Sequence, residues 1–127
     1  MGGWWRMFDM TRLFLVAVTL LALLPNRVLA APLRCTWIQK HQCEPNKPCK
    51  VIPAKTFAKI DLQNKQYSRC DRLGCDDYDA NISSGDGMFT NIDVTGRGMI
   101  VKIAPDQSST EVVTLGNVVL ISQGKCR

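Results

Sequence analysis

Met99-Ile100-Val101-Lys102-Ile103-Ala104, Glu111-Val112-Val113-Thr114-Leu115 and Val118-Val119-Leu120-Ile121-Ser122 decide the fold of this chain. Each run is short, rich in β-branched residues and bounded by Gly, Asp, Ser or Pro, the composition of a strand between tight turns. Leu115-Gly116-Asn117-Val118 puts glycine first in a two-residue loop between apolar runs, as a type II′ hairpin requires. Upstream, Tyr78 to Ser83 and Met88 to Val94 have the same character, and Thr95-Gly96-Arg97-Gly98 supplies the positive φ angles of a slightly longer hairpin. Together these runs predict a β-meander.

Further towards the N-terminus, Phe57-Ala58-Lys59-Ile60-Asp61-Leu62 alternates, sending Ala58, Ile60 and Leu62 to one face and Lys59 and Asp61 to the other. Gln63-Asn64-Lys65 makes a turn and Gln66 to Cys70 returns. Residues 32–55 are rich in Cys, Pro and Lys and show little period. They predict an irregular, disulfide-pinned cap that opens with a short strand around Cys35-Thr36-Trp37-Ile38. After residue 30 no segment keeps a helical period. The expected fold is all-β, a small antiparallel barrel or sandwich of about six to eight strands with the N-terminal cap over one end. Trp37, Phe57, Tyr67, Tyr78 and Phe89 are expected to pack in core and cap, being spread over several strands.

The first thirty residues have a different logic. Arg6 and Arg12 precede an unbroken apolar run from Leu13 to Leu24, the length of a signal-peptide core and short of the roughly 20 residues a bilayer span needs. Pro25 and Asn26 break it, and Val28-Leu29-Ala30-Ala31 offers a peptidase site after Ala30. Translation from Met1 or from Met10 gives an equally good signal. The expectation is a cleavable signal over residues 1–30 and a single mature domain over residues 31–127, periplasmic or secreted, with no transmembrane segment and monomeric.

All six cysteines, Cys35, Cys43, Cys49, Cys70, Cys75 and Cys126, lie in the mature part. An even number in a short exported chain predicts a disulfide framework. Cys70 and Cys75 are expected to close a local loop and Cys126 to return to Cys35, Cys43 or Cys49. His41 lies near Cys43 and Cys49, but no cysteine pair has the Cys-x-x-Cys spacing of structural zinc.

Loss of the signal takes three basic residues and one acidic one, so the charge of +5 becomes +3. The remainder is polarised. From Arg34 to Arg69 basic residues outnumber acidic ones, whereas Asp71, Asp76, Asp77, Asp79 and Asp86 crowd a segment containing Arg72 alone. Within it Asp77, Asp79, Asn81 and Ser83 alternate like the first ligands of a calcium loop, but Ile82 and Met88 occupy the places of that loop's glycine and bidentate glutamate. The sequence therefore assigns no metal and no cofactor. It assigns no catalytic residue either: His41 is the lone histidine, no Gly-x-Ser-x-Gly elbow occurs, and four residues separate Cys70 from Cys75 where thiol oxidoreductases have two. The basic half lacks the interleaved aromatics of a nucleic-acid surface, so no nucleic-acid partner is expected.

A Trp-containing three-cysteine N-terminal region, Tyr67-Ser68-Arg69-Cys70-Asp71-Arg72-Leu73-Gly74-Cys75, Ser84-Gly85 ahead of Phe89 and a closing Gly124-Lys125-Cys126 resemble a group of small exported bacterial proteins with no assigned activity. More distantly the chain is similar to the periplasmic C-type lysozyme inhibitors, from which it departs by having Ser84-Gly85-Asp86-Gly87-Met88 where their inhibitory loop has Ser-Gly-x-x-Tyr. The expected function is a non-enzymatic binding module that meets an unknown protein or envelope polymer through the acidic loop 71–87, with Asp71, Asp76, Asp77, Asp79 and Asp86 as contacts. Two alternatives stand beside it: an envelope-associated structural protein holding anionic lipid or polysaccharide by its basic half, and a small glycan hydrolase built on an aspartate pair.

Overall fold

The computed structural model describes residues 30–94 and 96–127; the expected export signal, apart from Ala30, and Thr95 of the expected hairpin lie outside the described residues. In chain order the strands are β1 (Leu33–Cys43), β2 (Lys50–Ile52), β3 (Phe57–Asp61), β4 (Gln66–Cys70), β5 (Cys75–Asp79), β6 (Asn81–Ser84), β7 (Thr90–Val94), β8 (Met99–Ile103), β9 (Ser108–Leu115) and β10 (Val118–Cys126). A single 3₁₀ turn, Asp86–Met88, is the one helical feature among the described residues. Every pairing is antiparallel, in the order β5-β4-β3-β1-β10-β9-β8-β7-β6, with β2 added to β1.

The two ends of that order are one piece of chain. β5 and β6 are interrupted only at Ala80, and Tyr78, Ala80 and Ile82 all turn inward without a break in alternation. The first half of this shared strand pairs with β4, from Cys70↔Cys75 to Gln66↔Asp79, and the second half with β7, from Asn81↔Asp93 to Ser84↔Thr90. Ala80 N donates to Lys65 O at 2.8 Å where the partner changes. The sheet is thereby rolled into a nearly closed antiparallel barrel. Around it, β1 and β10 stand across from the shared strand and β7. The ten strands exceed the six to eight expected from sequence, because the shared run counts twice and the N-terminal segment contributes more strand than its composition suggests.

That segment is the main departure from expectation. β1 is eleven residues long and pairs with β10 from Cys35 to Cys43 and, on its other edge, with β3 from Leu33 to Thr36 and with β2 from Lys40 to Gln42. Only residues 44–56, apart from β2, keep the irregular character expected of a cap. A β-bulge explains why the strand is hard to see: Trp37 pairs with Gly124 and Gln39 with Gln123, leaving Ile38 extra. Before the bulge Cys35 and Trp37 are buried while Arg34, Thr36 and Ile38 face out, Ile38 being 78% exposed; at the bulge Gln39 faces out as well, and Lys40 takes the inward place. Gly124 permits this, since a Cβ there would run into the Thr36 carbonyl oxygen and the Trp37 Cα.

The core lies inside the barrel, drawn from Ala58 and Ile60 on β3, Ile92 and Val94 on β7, Met99 and Val101 on β8, Val113 on β9 and Leu120 on β10. The β9–β10 hairpin has Leu115 paired with Val118, and Gly116 alone takes a positive φ, 61°, as a II′ turn demands. Leu62 is 45% exposed instead of inward, because Asp61 Oδ1 accepts from the backbone of Gln63 and Asn64 and starts the turn one residue early. Trp37 and Tyr67 are buried, Tyr78 packs on the core, and Phe57 and Phe89 lie under the cations of Arg34 and Lys102.

Three disulfides account for all six cysteines: Cys35–Cys126, Cys43–Cys49 and Cys70–Cys75. The first ties paired residues of β1 and β10; the others close local loops. Such a set fits an oxidising extracellular compartment. No helix among the described residues is long and apolar enough to cross a membrane.

Candidate functional site

The β4–β5 hairpin owes its shape to one acidic residue. Asp71 Oδ1 accepts from Leu73 N at 2.7 Å and Gly74 N at 3.2 Å, Asp71 N donates to Gly74 O, and the Cys70–Cys75 disulfide locks the base of the turn. Asp71 therefore spends its carboxylate on the turn. Other acids are spent likewise. Asp61 holds the β3–β4 turn, Asp106 accepts from Ser108, and Glu44 accepts from Lys47 and Gln42, and these bonds hold all three carboxyls below their ordinary pKa.

Asp76, Asp77 and Asp79 differ. All three are exposed on β5, and among the described residues none has a hydrogen-bond or ion-pair partner. Strand alternation divides them: Asp77 and Asp79 point outward, whereas Asp76 shares the other face with Tyr78, directly across from Arg69 on β4. There Asp76 and Arg69 line a cleft of about 480 Å³ together with Thr56 and the turn 70–75. Arg69 Nε is buried without a hydrogen-bond partner among the described residues, so its guanidinium forms a cationic floor under an acidic rim.

The residues singled out in the sequence are thus only partly assembled. Asp71 and Asp76 to Asp79 gather at one hairpin, while Asp86 sits in the 3₁₀ turn beyond the far end of β6. Asp77, Asp79 and Ser83 follow one another along an extended run, where alternate side chains are about 6.5 Å apart, and do not curl around a common point as calcium ligands do. Among the described residues no three His, Cys, Asp or Glu side chains are placed to hold a metal ion. His41 belongs to the outward set of β1, level with Val51 and Ile121. One acid escaped the sequence reading: Asp93, exposed on β7 across from Asn81, extends the outward acidic face of Asp77 and Asp79. Its position between buried Ile92 and Val94 marks it as outward, but its neighbourhood depends on a pairing that no local pattern reveals.

Beneath the cleft runs a buried polar chain. Lys40 on β1, Ser122 on β10 and Glu111 on β9 are successive cross-strand neighbours, all turned into the barrel and all nearly or fully inaccessible. Glu111 Oε1 accepts from Ser122 Oγ at 3.2 Å, its Oε2 accepts from the Tyr67 hydroxyl reaching across from β4, and Lys40 Nζ donates to Thr56 Oγ1 at 3.4 Å in the cleft wall. Burial, and secondarily the charge of Arg69, pull the Lys40 ammonium below the usual lysine range against the opposing pull of Glu111. Burial first, then the charge and hydrogen bond of Glu111, push the Tyr67 phenol far above its ordinary 10.0.

A pH dependence follows. Below pH 10.0 the phenol is protonated in both folded and unfolded chains; above it only the unfolded chain releases the proton, so stability falls as pH rises. Lys40 acts in the opposite sense, but its gain is complete once pH reaches 10.5. Above that point stability should drop by about 1.4 kcal/mol per pH unit from Tyr67. Urea midpoints across the alkaline range should show this slope, and Tyr67→Phe should flatten it although it starts less stable at neutral pH. An equal slope in the variant would assign the alkaline loss to another group.

Comparison of the chain with protein-family models, with curated proteins and with solved structures returns no match.

Proposed function

We propose that the protein is a non-enzymatic binding module of the periplasm or extracellular space that captures a cationic protein through the acidic strand β5. The observation that carries this reading is the contrast among carboxylates: Asp61, Asp71, Asp106 and Glu44 are engaged within the fold, whereas Asp76, Asp77 and Asp79 stand exposed and unengaged on one strand. Asp77 and Asp79, like charges on one face of the strand, repel one another, and an opposite charge brought by a partner relieves that repulsion. The disulfide-closed hairpin fixes the strand, so little conformational entropy is lost on binding. Asp93 on β7 widens the acidic face of Asp77 and Asp79.

An acidic edge strand has another use, blocking unwanted edge-to-edge pairing. The two uses respond differently to neutralisation. Asp76→Asn, Asp77→Asn and Asp79→Asn together should weaken binding to basic proteins such as hen lysozyme about tenfold or more in surface-plasmon resonance, with the difference shrinking at high salt. If binding is unchanged and the variant instead self-associates in sedimentation, the strand guards an edge and the proposed site is wrong.

A further inference from the structure

Around the barrel from β5, on β3, β1 and β10, the exposed side chains have the opposite sign. Arg34 on β1, Lys125 on β10 and Arg127 line a groove of about 390 Å³ with Thr36 and Ile38, and Lys59 on β3 is the cross-strand neighbour of Arg34. Among the described residues none of these four cations has an ion-pair partner; Asp106, the acid that feels Lys125, is taken up by Ser108. The groove is rigid. Arg34 and Arg127 exchange backbone hydrogen bonds of 2.7 and 2.9 Å, the Cys35–Cys126 disulfide lies directly behind them, and the Arg34 guanidinium rests 3.8 Å from the centre of the Phe57 ring. Ile38 continues the outward row of Arg34 and Thr36 on β1 and is 78% exposed.

We infer that this flank docks on an anionic lipid bilayer, with Arg34, Lys59, Lys125 and Arg127 against the headgroups and Ile38 inserted between them. Charge complementarity selects an anionic occupant. Ile38 selects the bilayer over a soluble polyanion, because a large apolar side chain exposed in a row with cations gains from an acyl boundary and nothing from a hydrated polymer. Each basic residue near an anionic leaflet raises partitioning about fivefold. This inference does not depend on the acidic strand finding a partner.

Co-sedimentation of the full mature protein with vesicles of phosphatidylglycerol and phosphatidylcholine tests it. Binding should be strong on the mixed vesicles, absent on phosphatidylcholine alone, and weakened by salt. Lys59→Gln with Lys125→Gln, both outward and outside the Phe57 stack, should cost about 25-fold, and Ile38→Ser several-fold, while Asp77→Asn with Asp79→Asn should not weaken binding. Equal binding to neutral vesicles, or no loss in the lysine pair, overturns the proposal. So does full competition by dextran sulfate combined with an unaffected Ile38→Ser, since that pattern belongs to a polyanion site.

Discussion

Replacing Cys35 and Cys126 together by alanine should cost about 4–5 kcal/mol, the largest loss of any single bridge in the molecule. The reason is loop length. A cross-link stabilises chiefly by restricting the unfolded chain, and this one spans a sequence separation of 91, against 6 for Cys43–Cys49 and 5 for Cys70–Cys75, each worth about 2 kcal/mol on the same footing. Both sulfurs are buried, so the alanines also leave a small void between β1 and β10. For a domain of this size the melting temperature should fall by roughly 20 °C, and by roughly half that in the Cys70→Ala, Cys75→Ala pair. Calorimetry under oxidising conditions measures both. Comparable losses for the long and the short bridge would mean that the unfolded chain is not what Cys35–Cys126 constrains.

Glu111→Ala should cost about 3–5 kcal/mol, although the substitution removes no apolar contact of note. In the wild type Glu111 is fully buried and receives the hydroxyls of Tyr67 and Ser122 while balancing the charge of Lys40. Alanine leaves two donors without an acceptor and a nearly inaccessible ammonium without a counter-charge, each a penalty in low dielectric. Lys40→Met in the same chain should restore a sizeable part of the loss. A double-mutant cycle from urea midpoints decides: strictly additive effects would show that Lys40 and Glu111 do not balance one another.

How much of this was readable beforehand varies along the chain. The strands after residue 98 announce themselves because apolar positions recur at every second residue and the turns carry glycine where positive φ is needed. β1 stays hidden for two reasons. Lys40, His41 and Gln42 lack strand-forming character, and the bulge at Ile38 shifts the alternation, so a strand held by its partners β10, β3 and β2 carries little local signature. The sharing of residues 75–84 between β4 and β7 is equally silent, since nothing in Tyr78-Asp79-Ala80-Asn81-Ile82 says that the neighbour changes midway.

The acidic cluster was visible as composition, but not the division of labour within it. Asp71 followed by Arg72-Leu73-Gly74 is a turn signature, and with that weight it separates from Asp76, Asp77 and Asp79. Glu111 offers a fainter clue. It shares the parity of Val113 in β9, which places a carboxylate inside; of the two hydroxyls that donate to it, the serine comes from the next strand and the tyrosine from β4, distant in sequence.

One outward row of the sheet runs Arg34, Lys59, Ser68, Asp77 from β1 to β5, and this has a consequence for any assembly the protein joins. Lys59 stands two strands, roughly 10 Å, from Asp77, close to the ~8 Å over which salt lets exposed charges sense one another. A ligand broad enough to cover the whole row should therefore exclude another, whereas a small one at either end should tune its neighbour only weakly.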